Sequence, residues 1–134
     1  MLGENVGETQ GKITVRRVLP SERGGPKVEV AIAESGKLVG LDVNVVATYL
    51  AALRPDGTLF GGGQGVVMAA NGEGGSFMGQ GVGGFTEKGG ASFRGALFPQ
   101  SQSPTLARLN GVAAVFEHDA DENDSTRTML WEWK

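Results

Sequence analysis

The chain has 134 residues, 40% of them apolar and 20% charged, with 23 glycines, no cysteine and a formal net charge of −3. That length suits one domain with one core, and the composition excludes disorder, a collagen-like repeat and a disulfide framework. Twelve basic residues scattered among fifteen acidic ones give no footprint for nucleic acid or an anionic membrane. No apolar run approaches the ~18 residues that would span a bilayer, and the first residues carry neither a basic n-region nor an apolar h-region, so the chain reads as soluble and cytoplasmic.

Residues 1–10 are polar and glycine-bearing and read as a flexible N-terminal arm, which leaves 11–134 as a single domain. Lys12–Leu19 is β-branched and is predicted as the first strand. Pro20–Pro26 holds two prolines and two glycines and is predicted as a loop. Lys27–Ala33 alternates Val28, Val30 and Ile32 with Glu29, Ala31 and Ala33, the pattern of a second strand. Ser35-Gly36 reads as a two-residue turn. Lys37–Arg54 is then one long strand, with Leu41, Val43, Val45, Ala47, Tyr49, Ala51 and Leu53 on a single face. Pro55-Asp56-Gly57 turns into a fourth strand, Thr58–Ala70, and Asn71–Gly74 separates that from a fifth, Ser76–Thr86. Glu87-Lys88-Gly89 leads to a sixth, Ala91–Pro99. Ser103-Pro104 has the form of an N-cap with proline at the first helical position, giving a short helix that ends near Asn110. Val112–Asp119 and Ser125–Lys134 are the last two strands, around a turn at Asp121–Asp124. Nearly every connection is hairpin-like. The fold class is therefore all-β: an eight-stranded antiparallel up-and-down barrel, calycin-like, with one short helix.

Two segments place glycine at every second residue: Gly61, Gly63, Gly65 and Gly79, Gly81, Gly83. Side chains alternate across a strand, so each segment has one nearly bare face. Glycine costs about 0.5–1 kcal/mol relative to alanine inside regular structure, so the pattern answers a geometric demand, either sharp bending or room for something bulky. The turn lengths predict register. Tyr49 pairs with Gly63, Gly63 with Gly81, Gly81 with Gly95, and Gly83 with Phe93. A Ser35-Gly36 turn pairs Ile32 with Val39, and the last hairpin pairs Phe116 with Met129 and Ala114 with Trp131. The row Tyr49–Gly63–Gly81–Gly95 lies on the more apolar face of the third strand, so it is placed inside the barrel. The expected ligand-binding set is Tyr49, Gly63, Gly81, Phe93 and Trp131, with Tyr49 capping a glycine floor and Phe93 and Trp131 as walls. Arg94, Glu117 and Glu132 fall outside. So do Phe60, Val66, Met78, Val82 and Phe98, an apolar patch that implies a homo-oligomer, dimer or trimer.

Gly83-Gly84-Phe85, followed by Gly90, resembles the Gly-x-Phe-x4-Gly signature of allene oxide cyclase and dirigent barrels. The resemblance implies an eight-stranded, often trimeric barrel holding an apolar ligand. No motif carries those cyclases' catalytic residues onto this chain. The remainder, with Phe116-Glu117 and Trp131-Glu132-Trp133, is similar to an uncharacterised small-barrel family.

Candidate chemistry is sparse. His118, the single histidine, is expected as a rim residue near Arg127 at the end of its strand. Asp119–Ser125 starts like a calcium loop, but Asp124 stands where the turn glycine belongs and Leu130 where the bidentate glutamate belongs, so it reads as a solvated hairpin and no metal is expected. The glycines alternate within strands and lead into no helix, unlike a phosphate loop. No motif requires a cofactor, no catalytic residue is assigned, and whether the protein is an enzyme stays open. The first reading is a binder of a small apolar molecule. A cofactor-free isomerase or cyclase, or a structural module with a filled barrel, are the alternatives. Binder and enzyme are both expected to need a cavity of about 300 Å³ or more.

Overall fold

The computed structural model describes residues 1–21 and 25–134, so the middle of the expected Pro20–Pro26 loop lies outside the described residues. Eight strands form a closed barrel: β1 (Leu2–Leu19), β2 (Lys27–Leu38), β3 (Leu41–Leu53), β4 (Leu59–Ala69), β5 (Gly74–Phe85), β6 (Ala91–Gln100), β7 (Ala114–Ala120) and β8 (Ser125–Trp133). Each strand pairs antiparallel with the next, and β1 closes on β8. The short helix is present as a 3₁₀ turn at Leu106–Leu109. Among the described residues no helix is long and apolar enough to cross a membrane.

The N-terminal arm is a correction. Residues 2–10 are the first half of β1, with Thr9 opposite Thr128 and Gln10 opposite Arg127. The physical reason is closure: without this segment β8 and β2 would both present unpaired edges. The polar composition that suggests an arm also suits a strand with one face in water.

Register holds where the turn is read correctly. Tyr49 pairs with Gly63, and Leu53 with Leu59. Gly81 pairs with Gly95, and Gly83 with Phe93. Three turns differ from expectation. The β2–β3 turn is Val39-Gly40, both at positive φ (43° and 84°), as a type I′ hairpin requires. Ser35 and Gly36 therefore lie within β2, and Ile32 pairs with Ala47. The β4–β5 loop has four residues, so Gly61 pairs with Gly81 and Gly63 with Gly79. Both shifts are even and leave every side chain on its expected face. The β7–β8 shift is odd: Phe116 pairs with Leu130 and Val115 with Trp131. A slip of one residue exchanges the two faces of a strand. Thr128 and Leu130 thus turn inward, with Glu132 on their side of β8. Met129, Trp131 and Trp133 turn outward, and Trp133 is 61% exposed.

The 3₁₀ turn plugs one end of the barrel. Leu106 and Leu109 are buried against Val6, Leu38, Val43, Val67 and Ala69. The plug is fastened through polar atoms of the loops beside it. Glu73 Oε1 accepts hydrogen bonds from the backbone N–H groups of Thr105 (2.8 Å) and Leu106 (3.0 Å), and Ser101 Oγ donates to the Gly74 carbonyl (2.6 Å). Farther along the barrel, Val30, Ile32 and Ala47 form a second apolar cluster with Tyr49 and Phe77 packed against it.

Candidate functional site

Beside the plug lies a cavity of about 140 Å³. Its lining includes apolar Val43, Val67, Leu97, Leu106 and Leu109, the glycines Gly61, Gly63, Gly79 and Gly81, and a polar group from the opposite wall: Thr9, Glu34, His118 and Thr128. The cavity is less than half the ~300 Å³ expected for a binder or an enzyme. Phenylalanine rings explain the difference. Phe93 leans over Gly61, Phe77 over Gly65 and Phe116 over Gly81; a methyl on Gly81 would sit 2.8 Å from Phe116 Cζ and 2.9 Å from the Arg94 carbonyl oxygen. Rings covering cross-strand glycines restore packing that the missing side chains give up. Tyr49, to which that covering role was assigned, lies edge-on to Phe93 and to His118 instead, each at 5.7 Å between centroids.

The polar group comes from register. His118 pairs with Thr128 across β7–β8, Thr128 with Thr9 across β8–β1, and Gly11 with Glu34 across β1–β2. Three consecutive cross-strand partners therefore form a row, and Glu34 reaches it diagonally. Glu34 Oε1 accepts from the Thr9 hydroxyl (2.7 Å) and from the Thr128 hydroxyl (2.8 Å). His118 Nδ1 lies 2.8 Å from Thr128 Oγ1. A hydroxyl has one proton. Thr128 gives its proton to Glu34, so it must accept from His118, and the ring proton sits on Nδ1. That leaves Nε2 as a bare acceptor. Glu34 is 5% exposed and His118 6% exposed, yet Glu34 Oε2 and His118 Nε2 have no hydrogen-bond partner among the described residues. Buried polar atoms are rarely left this way. A third such atom, Thr126 Oγ1, lies two residues along β8, away from the cavity lining.

Burial lowers the His118 pKa below its ordinary value, against the raising pull of the Glu34 and Asp119 carboxylates, so the ring is neutral at pH 7. Burial also pushes the Tyr49 hydroxyl up to about 12, which keeps it protonated. Among the described residues no three His, Asp or Glu side chains converge as a metal site.

Of the five residues expected at the site, Tyr49, Gly63, Gly81 and Phe93 line the cavity. Trp131 does not: the odd shift in the last hairpin sends it outside, opposite Val115 and Asn5. His118 is a buried interior residue, not a rim residue, and its neighbour across the hairpin is Thr128. Arg127 pairs with Asp119 and bonds to Glu8 outside. Glu34, Thr9 and Thr128 were not expected. One signal pointed to Glu34: it continues the Val28, Val30, Ile32 face. Arg94 pairs with Glu117 (3.8 Å) and Asp119 (3.0 Å) on the exposed outer surface. In the Asp119–Ser125 hairpin, Asp121 Oδ1 accepts from the N–H groups of Asn123 and Ser125, and Asp124 pairs with Arg16.

No protein-family model matches the chain, and no curated protein does. Solved structures share the fold. A protein of unknown function from Clostridium acetobutylicum ATCC 824 superposes with a TM-score of 0.83 at 12% identity, covering 98% of each chain. The conserved protein of unknown function RPA1785 from Rhodopseudomonas palustris gives 0.83 at 13% identity, covering 98% of this chain and 97% of its own. An enzyme from Penicillium herquei gives 0.64 at 11% identity, covering 96% of this chain and 92% of its own. At these identities the likeness is one of fold. The chain is an eight-stranded barrel of the same kind as these proteins.

Proposed function

We propose that this barrel binds a small, largely apolar molecule in the cavity between the 3₁₀ plug and the Glu34–His118 row. The observation that carries the reading is the pair of buried acceptors, Glu34 Oε2 and His118 Nε2, left unpartnered beside an otherwise apolar cavity. A structural module would gain stability by filling that space and pairing those atoms. The volume favours a single-ring molecule, since an apolar cavity of about 150 Å³ holds benzene. The test is a set of thermal melts with single-ring compounds. A rise in melting temperature that grows with ligand concentration supports binding. Indifference to every compound rejects it.

A second reading, a cofactor-free isomerase or cyclase in the same cavity, is favoured by one specific feature. His118 is neutral, lines the cavity and keeps a buried ring nitrogen with no hydrogen-bond partner among the described residues, the protonation state that a general base needs. Solvent deuterium appearing in a bound carbon acid, followed by NMR and lost in His118→Gln, is its expected signature. The kinship with allene oxide cyclase and dirigent barrels belongs to this proposal too, and rests on the Gly83–Gly90 hairpin. We propose self-association as well: Phe60, Val66, Met78, Val82 and Phe98 are all well exposed on the outer face of β4–β6. Light scattering with Met78→Glu/Phe98→Glu as the monomeric control tests it.

A further inference from the structure

Resting on the reading that the cavity binds a small molecule, we infer that the site selects for a hydrogen-bond donor: a single ring bearing a neutral O–H or N–H group, the phenol or aniline class. Both unpartnered atoms of the polar row are acceptors. Glu34 Oε1 is occupied by two hydroxyl donors, and Oε2, 3.8 Å from His118 Nδ1, has no donor within hydrogen-bond distance among the described residues. His118 Nδ1 is committed to Thr128, which fixes the tautomer and leaves the lone pair of Nε2 free. Neither atom can donate. A ketone, an ether or an ester finds no donor in the row and can be met only from outside it, as by the Tyr49 hydroxyl that also lines the cavity, and a carboxylate ligand meets the Glu34 carboxylate at close range. A ring carrying a donor satisfies one or both acceptors while its carbon body fills the apolar walls. A site built to hydrogen-bond a ligand group rejects the analogue that lacks it, because the buried protein atoms then stay unpaired.

His118 is the single histidine, so its ring nitrogens can be followed without ambiguity. The experiment uses histidine labelled with ¹⁵N in the intact protein, near neutral pH, with phenol, toluene and benzoate as probes. Before any ligand is added, the ring is expected as the neutral tautomer protonated at Nδ1. Phenol is expected to bind at least about tenfold more tightly than toluene, the ratio that one charge-assisted hydrogen bond supplies, and to move the Nε2 resonance in the direction of an accepted hydrogen bond. Benzoate is expected not to bind. In Glu34→Gln the ratio of phenol to toluene affinity should shrink. A ring protonated at Nε2 overturns the inference by itself, whatever binds. Equal affinity for phenol and toluene also overturns it, yet leaves the binding reading standing. If no probe binds, both are rejected together.

Discussion

The two walls of this barrel solve opposite problems. The β4–β6 wall is built from glycines and phenylalanines, and brings no titratable group to the cavity. Its rings lean over bare backbone, and what they leave uncovered is the space. The wall made by β7, β8, β1 and β2 carries Glu34, His118, Thr9 and Thr128. Its side chains satisfy one another at every atom except Glu34 Oε2 and His118 Nε2, which have no partner among the described residues. One wall supplies room and the other supplies chemistry. The glycine wall is fixed by shape, so it should fail through overlap; the polar wall is fixed by hydrogen bonds, so it should fail through unpaired atoms.

The largest expected effect is on the glycine wall. A methyl on Gly83 would overlap the Ser92 carbonyl group, whose carbon lies 2.7 Å from that position, and one on Gly95 would lie 2.5 Å from the Gly81 Cα. Backbone is on the receiving side in both, so no rotamer change relieves the overlap. Gly83→Ala and Gly95→Ala should each cost about 3 kcal/mol or more, the upper end of the overpacking range. Chemical denaturation checks this, and a loss below about 1 kcal/mol would show that β5 and β6 can move apart.

A smaller effect is expected from Thr128→Val on the polar wall. The hydroxyl links His118 Nδ1 to Glu34 Oε1. Its loss leaves a buried N–H with no acceptor, which costs about 1–3 kcal/mol. The ring also loses the bond that fixes its tautomer. The variant should therefore both destabilise the fold and allow Nε2 to carry the proton, two changes that a simple packing defect would not produce together.

The same two walls differ in how far the sequence reveals them. Gly63 opposite Tyr49 and Gly81 opposite Gly95 follow from turns with plain chemistry, Pro55-Asp56-Gly57 and Glu87-Lys88-Gly89. The polar wall depends on two turns that disguise themselves. Val39 adopts φ 43°, which a β-branched residue seldom does, so Ser35-Gly36 looked the better turn and Glu34 fell into the loop. Asp124 adopts φ 67°, which changes the last hairpin by one residue and exchanges Trp131 for Thr128 and Leu130 inside. Thr9 was hidden by the polar composition of residues 1–10. Hydrophobic alternation defines a face well, but it cannot count residues through a turn, and this site lies where three counts meet.

A third prediction separates the walls by pH. The groups around the His118 ring are Glu34, Asp119 and Tyr49. Burial depresses the ring pKa in the folded state, so the unfolded chain binds the proton more readily. Stability is then complete above the unfolded histidine value of about 6.5 and falls as pH drops from there toward the folded value. Asp124, held low by its hydrogen bonds from Arg16, contributes only farther down, below its ordinary carboxylate value. Urea melts between about pH 7.5 and 5 should show the decline, and His118→Gln should flatten it. An unchanged slope in that variant would place the titrating group elsewhere.

The smallest effect comes from one residue beyond the most sensitive glycine. Gly84 follows Gly83 in β5 but points to the other side of the sheet, and nothing lies within 4 Å of where its methyl would go. Its φ is not in the left-handed region. Alanine there should restrict the unfolded chain without straining the folded one, a gain of about 0.4–1 kcal/mol. Adjacent glycines would then give opposite signs: Gly83→Ala strongly destabilising, Gly84→Ala mildly stabilising. That contrast matters because Gly84 is the variable position of the Gly83-Gly84-Phe85 motif. If Gly84→Ala destabilises as much as its neighbour, the hairpin as a whole requires glycine and bending of β5 is the common cause. If the signs differ, the requirement belongs to the inward face alone, where β5 and β6 approach too closely for a side chain on Gly83.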